Sequence, residues 1–214
     1  DPVEYELPGV LQIPVNDKKG LTFARGLRSI LRHDPDTILV GEIRDGETAG
    51  IAVQAALTGH LVLSSVHANS AFSVLERFTY MDVDPASFVE ALNGVVAQRL
   101  VRRICPDCGV DAEPDPDIAH LAQLSDAQRQ QGHYRVGKGC EACRHTGYRG
   151  RLALAEVLTL TDSIKEGLLN RSSASTLREL AREAGHVFIR DIALAHAAQG
   201  DTTLKEIHRV ISLY

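Results

Sequence analysis

Apolar positions recur along the chain in two rhythms. Phe23, Ala24, Leu27, Ile30 and Leu31 fall on one face at helical spacing, behind a hydroxyl at Thr22 that can cap the first turn. Asp34-Pro35-Asp36 stops that helix, because the residue before a proline is pushed out of the α region. Thr37-Ile38-Leu39-Val40 then forms a short unbroken apolar run, followed by a small-residue helix over Glu47–Leu57 and a second apolar run over Leu61–Val66 that ends at His67. Apolar runs without alternation are what strands buried on both faces of a parallel sheet require. Helical spacing returns over residues 70–78 and 85–103. Residues 1–20, broken by Pro2, Pro8, Gly9 and Pro14, read as loop with short extended pieces. Beyond residue 150 the pattern predicts a strand over 152–158 and helices over 162–170, 174–185, 189–199 and 204–212. Strand, helix, strand points to an α/β fold built on a parallel sheet, with ligands expected at the C-terminal ends of the strands.

Residues 105–150 break this pattern with glycines, prolines and four cysteines in two C-x-x-C pairs, Cys105/Cys108 and Cys140/Cys143. The division expected is therefore 1–104, 105–146 and 147–214, the last mainly helical. No basic, apolar, small-residue order marks a signal peptide, so the thiols are expected to be reduced or metal-bound rather than bridged. Two residues between the cysteines of a pair let both thiolates face one ion, and four thiolates suit a closed, structural Zn²⁺ site with no open position for catalysis. A redox C-x-x-C is the alternative; two matched pairs argue against it. His145 is a spare ligand candidate.

The charge balance narrows the partners. The chain carries 23 basic and 28 acidic residues, a net charge of −5, and its aromatics are five Tyr and five Phe with no Trp. That weighs against a nucleic-acid zinc ribbon, which needs basic surface and stacking platforms. Arg99, Arg102 and Arg103, at the end of the predicted 85–103 helix, read as an interface face. No apolar stretch approaches the roughly 18 residues of a membrane span. The only Met is Met81, and a chain opening on Asp1-Pro2 is expected to be a piece of something longer.

Several residues carry candidate chemistry. Glu42 follows the first apolar run, and an acid at the tip of a hydrophobic strand is the Walker-B arrangement, which orients Mg²⁺ or an attacking water. The competing reading is a strand-end Glu paired with Arg44. His60 and His67 bracket the second run at opposite ends, so they cannot share a metal. His67 lies beside the expected end of the Glu42 strand and could contact a phosphate; a half-buried His bonded to backbone is the alternative, and for His60 the favoured one. Arg25, Arg28 and Arg32 share one helical face, which supports a common target. Asp1 and Glu4 form an acidic turn. Gly132–Gly139 approximates a phosphate-binding G-x-x-x-x-G-K-[ST] loop, but Gly139 lacks the hydroxyl, no apolar strand precedes Gly132, and Cys140 stands where the helix should begin. It reads as the approach to the metal knuckle.

In order, the acidic Asp1–Glu4 turn, Val40-Gly41-Glu42-Ile43-Arg44-Asp45 and Leu57-Thr58-Gly59-His60 through His67 resemble the secretion ATPase superfamily. The cysteine segment and Gly147-Tyr148-Arg149-Gly150-Arg151 narrow the resemblance to the type II secretion and type IV pilus assembly ATPases, the general secretion pathway protein E family; it extends through Gly200–Glu206. The resemblance implies a partial RecA-like core over 1–104, a tetracysteine zinc subdomain and a C-terminal helical subdomain. It implies Glu4 as the group that activates the hydrolytic water and Asp1 as part of the same acidic box. It places Glu42 near Mg²⁺, His60 and His67 in a histidine box with His67 near the γ-phosphate, and the three arginines near nucleotide or a subunit interface. Mg-ATP, a homo-hexamer, cytoplasmic and inner-membrane machine components, and a cytoplasmic location peripheral to the inner membrane are implied for the intact parent. The alternative is a zinc-bearing docking module with no ATPase activity of its own. In that family the phosphate loop lies upstream of the acidic box. The 214-residue chain by itself is therefore expected not to bind Mg-ATP tightly. Calorimetric titration checks this, and micromolar affinity would return Gly132–Gly139 to consideration.

Overall fold

Thr22 accepts a hydrogen bond from the Arg25 N–H and opens helix α1 (Phe23–Ile30), as its hydroxyl predicted. The computed structural model describes residues 3, 5–68 and 71–211; Asp1, Glu4 and the start of the helix expected at 70–78 lie outside the described residues. After a single turn of 3₁₀ helix over Leu31–His33, strand β1 (Thr37–Val40) leads to α2 (Gly46–Leu57), which Asp45 caps through the Thr48 N–H. Strand β2 (Leu61–Ser64) pairs parallel with β1, Thr37 opposite Leu61 and Val40 opposite Ser64. Helices α3 (Ala71–Tyr80) and α4 (Pro85–Ala91) follow. Phe78 and Phe88 stack with ring centroids 4.2 Å apart.

Two expectations change here. The apolar runs were expected to be buried on both faces. Instead Ile38 and Val40 are buried, while Leu39 is 71% exposed and Leu61 and Leu63 are about half exposed. The pleat sends alternate side chains to opposite faces, and the face of this pair that carries Leu39, Leu61 and Leu63 is left exposed. The helical spacing over 85–103 also stops early. Residues Gly94–Ile104 form strand β3, paired with a later strand. The helix ends at Ala91, and the β-branched Val95, Val96 and Val101 pack better on a pleated surface, so pairing overrides the local period. Arg99, Arg102 and Arg103 consequently sit on a strand.

The cysteine segment contains β4 (Gly109–Asp111), the short helices α5 (Pro116–Leu121) and α6 (Asp126–Gln131), and β5 (Arg135–Gly137), which pairs antiparallel with β4. Strand β6 (Tyr148–Thr159) is the partner of β3. Helices α7 (Asp162–Leu169), α8 (Ala174–Glu183), α9 (Ile189–Ala198) and α10 (Leu204–Val210) complete the chain close to their expected positions. No helix among the described residues is long and apolar enough to cross a membrane.

The chain forms two interleaved units. The first comprises the chain up to Val95 together with Thr159–Ala184, and the second Val96–Leu158 together with the chain from Gly185. In the first, α2 packs on α1, β2 and α4, and α7 packs on α4 and α8. Gly46 is obligatory there, because a Cβ would collide with the Met81 carbonyl oxygen. The core of the second gathers Val101 of β3, Leu154 of β6, Ala119, Ala122, Leu124, Tyr134, Ala193 and Ala197 of α9, and Leu204 and Ile207 of α10.

Two glutamates are buried in that second unit. Glu156 accepts from the Ile189 N–H at 3.0 Å, supplying the cap that Phe188 cannot, and lies 2.9 Å from His186 Nε2. Glu206 accepts from the Arg102 N–H at 3.0 Å and side chain at 2.6 Å, and from Arg209 at 2.7 and 2.9 Å. Burial pushes its carboxyl up, but these guanidinium contacts prevail and hold it at about 2, against an ordinary 4.5. A carboxyl so depressed stabilises the fold in its ionised form. The contribution is complete above the unfolded-state value and is lost as pH falls from about 4.5 through about 2. At neutral pH it is on the order of 3 kcal/mol. Glu206→Gln should lower stability by that order at pH 7, and the gap to the parent should close on acidification. Denaturant unfolding of both chains across pH checks it; a pH-independent gap would show that packing, not charge, is lost.

Candidate functional site

The parallel pairing of β1 and β2 continues past the strands. The Ile43 N–H donates to Ser65 O at 3.1 Å and the Ser65 hydroxyl donates to Gly41 O at 2.6 Å, fastening the two C-terminal tips together. Glu42 and His67 meet there. The Glu42 side chain is only 10% exposed; its Oε1 lies 3.1 Å from His67 Nε2 and its Oε2 accepts from Arg44 Nε at 2.6 Å. Arg44 is the main cause that holds the Glu42 carboxyl below its ordinary range. Burial opposes this, and the charges of His67 and Arg77 add to the lowering. The Arg44 ion pair posed above is present, on an acid that follows the first strand. The result is an ionised carboxylate on a rigid tip, beside an imidazole whose side chain is 84% exposed.

His60 stands at the other end of β2, its Nδ1 3.0 Å from Ala55 O at the close of α2, apart from this cluster. Asp45 is occupied by the α2 N-terminus, accepting from Thr48 N and Oγ1 at 2.8 and 2.9 Å. The arginines of α1 have separate partners: Arg25 donates to Gly20 O at 3.1 Å and Arg28 pairs with Glu47 at 2.8 Å, while Arg32 sits in the following 3₁₀ turn. Asp1 and Glu4 lie outside the described residues.

The sequence reading missed Arg77. It sits on α3, its charge acts on Glu42, and its Nε is buried with no hydrogen-bond partner among the described residues. A single arginine on an amphipathic helix reads as solvated surface, so only the fold reveals it.

The four cysteines converge in the second unit. Cys105 and Cys140 Sγ lie 3.9 Å apart, Cys108 and Cys143 3.8 Å, and Cys140 and Cys143 3.8 Å; all four sulfurs fall within 4.8 Å of one another. A tetrahedral ion with bonds of about 2.3 Å sets its sulfurs about 3.8 Å apart, so the donor set fits one thiolate-bound metal. None of the four is in a disulfide. Backbone N–H groups steady the sulfurs: Gly139 donates to Cys108 at 3.3 Å, and Cys140 and Gly147 donate to Cys143 at 3.2 and 3.3 Å. Those donors draw the Cys143 thiol down to about 6, whereas burial pushes Cys108 up to about 12. The β4–β5 ladder brings the pairs together. Gly137 and Gly147 touch backbone to backbone, where a Cβ on either would collide with the carbonyl of the other. His145 contributes its N–H to Cys140 O rather than a ligand atom to the cluster.

Residues 1–209 match the family model described as Type II/IV secretion system protein. The chain is 49% identical over 207 residues to a type IV pilus assembly ATPase of Thermus thermophilus, covering 97% of this chain and 23% of that protein. It is 44% identical over 210 residues to a type II secretion system protein E of Aeromonas hydrophila, covering 98% of this chain and 41% of that protein. The chain thus spans well under half the length of these curated relatives. Among solved structures it resembles the Legionella pneumophila ATPase DotB, with TM-score 0.62, 21% identity, and coverage of 97% of this chain and 48% of that one. It also resembles the pilus retraction motor PilT with bound ADP, with TM-score 0.60, 23% identity, and coverage of 89% and 44%. At these identities the structural likenesses establish the α/β fold alone.

If Arg44 is what depresses the Glu42 carboxyl, Arg44→Ala should return it toward the ordinary 4.5. A carboxyl-carbon NMR titration reads this directly; an unmoved midpoint would assign the effect to His67 and Arg77 instead.

Proposed function

The chain belongs to the Type II/IV secretion system protein family, and we propose that it is the distal part of a hexameric ATPase that couples ATP hydrolysis to assembly of a pseudopilus or pilus for protein secretion. The observation that carries this reading is the meeting of Glu42 and His67 at the C-terminal tips of two parallel strands. Open α/β sheets bind their ligands at that edge, and phosphoryl transfer needs positioned charge there more than covalent chemistry. Glu42, held ionised, places Mg²⁺ or its bound water. His67 reaches the terminal phosphate, its ring open to solvent on the side away from Glu42. Glu4 orients or deprotonates the attacking water, with Asp1 in the same acidic box. Arg25, Arg28, Arg32 and His60 serve nucleotide binding or the contact between subunits. The protein works on the cytoplasmic side of the inner membrane, against components of a secretion or pilus machine and without nucleic acid.

Cys105, Cys108, Cys140 and Cys143 hold one Zn²⁺, which supplies structural cross-linking; a site closed by four thiolates leaves no position for a substrate. About one zinc per chain is expected by metal analysis. Retention of full zinc after two of these cysteines are changed to serine would remove them as its ligands.

In the full-length protein, Glu42→Gln and Glu4→Gln should each cut turnover by roughly 10²-fold or more, the usual worth of a positioned acid–base group. Glu4→Gln should leave ATP affinity largely intact, since its carboxylate acts mainly in the transition state, whereas Glu42→Gln should also weaken the Mg²⁺ dependence. Steady-state hydrolysis and nucleotide binding of assembled hexamers distinguish these. Wild-type turnover in either variant would strike that residue from the catalytic set.

A further inference from the structure

Beside the four cysteines lies a second polar cluster that the proposed ATPase does not use, and the two share backbone. The Gly147 N–H donates to Cys143 Sγ at 3.3 Å while the Gly147 carbonyl accepts from the Cys105 N–H at 2.9 Å, so this one residue touches both knuckles. The next residue, Tyr148, points into the Glu206 cluster. Its hydroxyl lies 2.7 Å from Thr203 Oγ1, the cap of α10, and the Arg102 guanidinium sits 4.2 Å above its ring. Arg102 is bound in turn to Glu206, and its carbonyl accepts from Thr202 Oγ1 at 2.8 Å. One residue before Cys105, the Ile104 N–H donates to Asp201 O at 2.9 Å. Two chain segments, 102–105 and 147–148, therefore carry the metal ligands or their N–H donors at one end and the contacts of α10 at the other.

We propose that the tetracysteine metal site and the Arg102–Glu206 clasp form one cooperative element, with Tyr148 as the residue that couples them, so that metal occupancy sets the order of the 200–210 segment. The inference rests on the metal reading above and goes beyond it, since a purely local cross-link would organise residues 105–150 and leave α10 indifferent. Coupling of this kind is reciprocal: if the metal tightens the clasp, the clasp tightens metal binding by the same factor. Groups that orient metal ligands from outside the coordination sphere typically change affinity 10–100-fold when removed. Tyr148 acts here through the Gly147 N–H, and no metal ligand is altered in the test.

The test measures zinc affinity of the full 214-residue chain by competition with a chromogenic chelator, and amide hydrogen exchange with and without zinc. Tyr148→Phe and Glu206→Gln should each lower zinc affinity by roughly tenfold. Removal of zinc from the parent chain should speed exchange across 201–210 as well as 105–150. Leu158→Ala serves as control: it opens a fully buried site on the same strand, ten residues from Tyr148, and should change zinc affinity less than threefold. Unchanged affinity in both clasp variants would overturn the coupling, as would an equal loss in Leu158→Ala, which would report global stability instead. Tyr148→Phe keeps the ring under Arg102, so it also tests the coupling if Glu206→Gln fails to fold. A parent chain that binds no zinc would refute the metal reading itself; a parent that binds it while 201–210 exchange stays unmoved would refute only the coupling.

Discussion

The proposed chemistry depends on the parallel register of β1 and β2. With Val40 opposite Ser64, the Ile43–Ser65 and Ser65–Gly41 hydrogen bonds extend the pairing to the point where Glu42 and His67 leave it. A slip of one residue would bring Leu39 to the covered face in place of Ile38 and Val40 and carry Glu42 away from His67. Asp45 reinforces the register from the other side, because capping α2 fixes where the chain turns after the tip. Backbone geometry places the acid, and the Arg44 guanidinium is what keeps its nearly buried carboxylate ionised.

Much of this was legible in the residues. Thr22 announced its helix, the 37–40 run its strand, and the matched C-x-x-C pairs a single cluster of four thiols. What escaped reading has a common physical cause. Residues 94–104 carry a helical period that is satisfied by β6, far along the chain, so the deciding partner is non-local. The apolar runs showed no alternation, yet the pleat exposes Leu39 because what a strand buries is set by its neighbours in the sheet as well as by its own composition. Arg77 and Glu206 carried no signal in the sequence; the charge of one acts on Glu42 and the other is paired with two arginines.

The second unit handles its buried carboxylates in two ways. Glu206 receives full cationic neutralisation, whereas Glu156 divides its oxygens between His186 and the open N-terminus of α9. Glu156 satisfies a donor at the start of α9 that the helix cannot satisfy itself, and Glu206, from within α10, accepts instead from the Arg102 N–H of β3. The helices of this unit are thereby tied to the sheet by directed polar contacts in addition to the alanine-rich core.

The contact between Gly137 and Gly147 bears on how this protein tolerates change. Metal sites are usually described through their ligands, and a cysteine can be exchanged for a histidine without moving the backbone. At Gly137 and Gly147 no side chain of any kind fits, since even one methyl group would meet a carbonyl. The least replaceable positions around the centre are thus two residues with no functional group at all. Mutational robustness here is set by the space the main chain leaves, and the ligands inherit their fate from it.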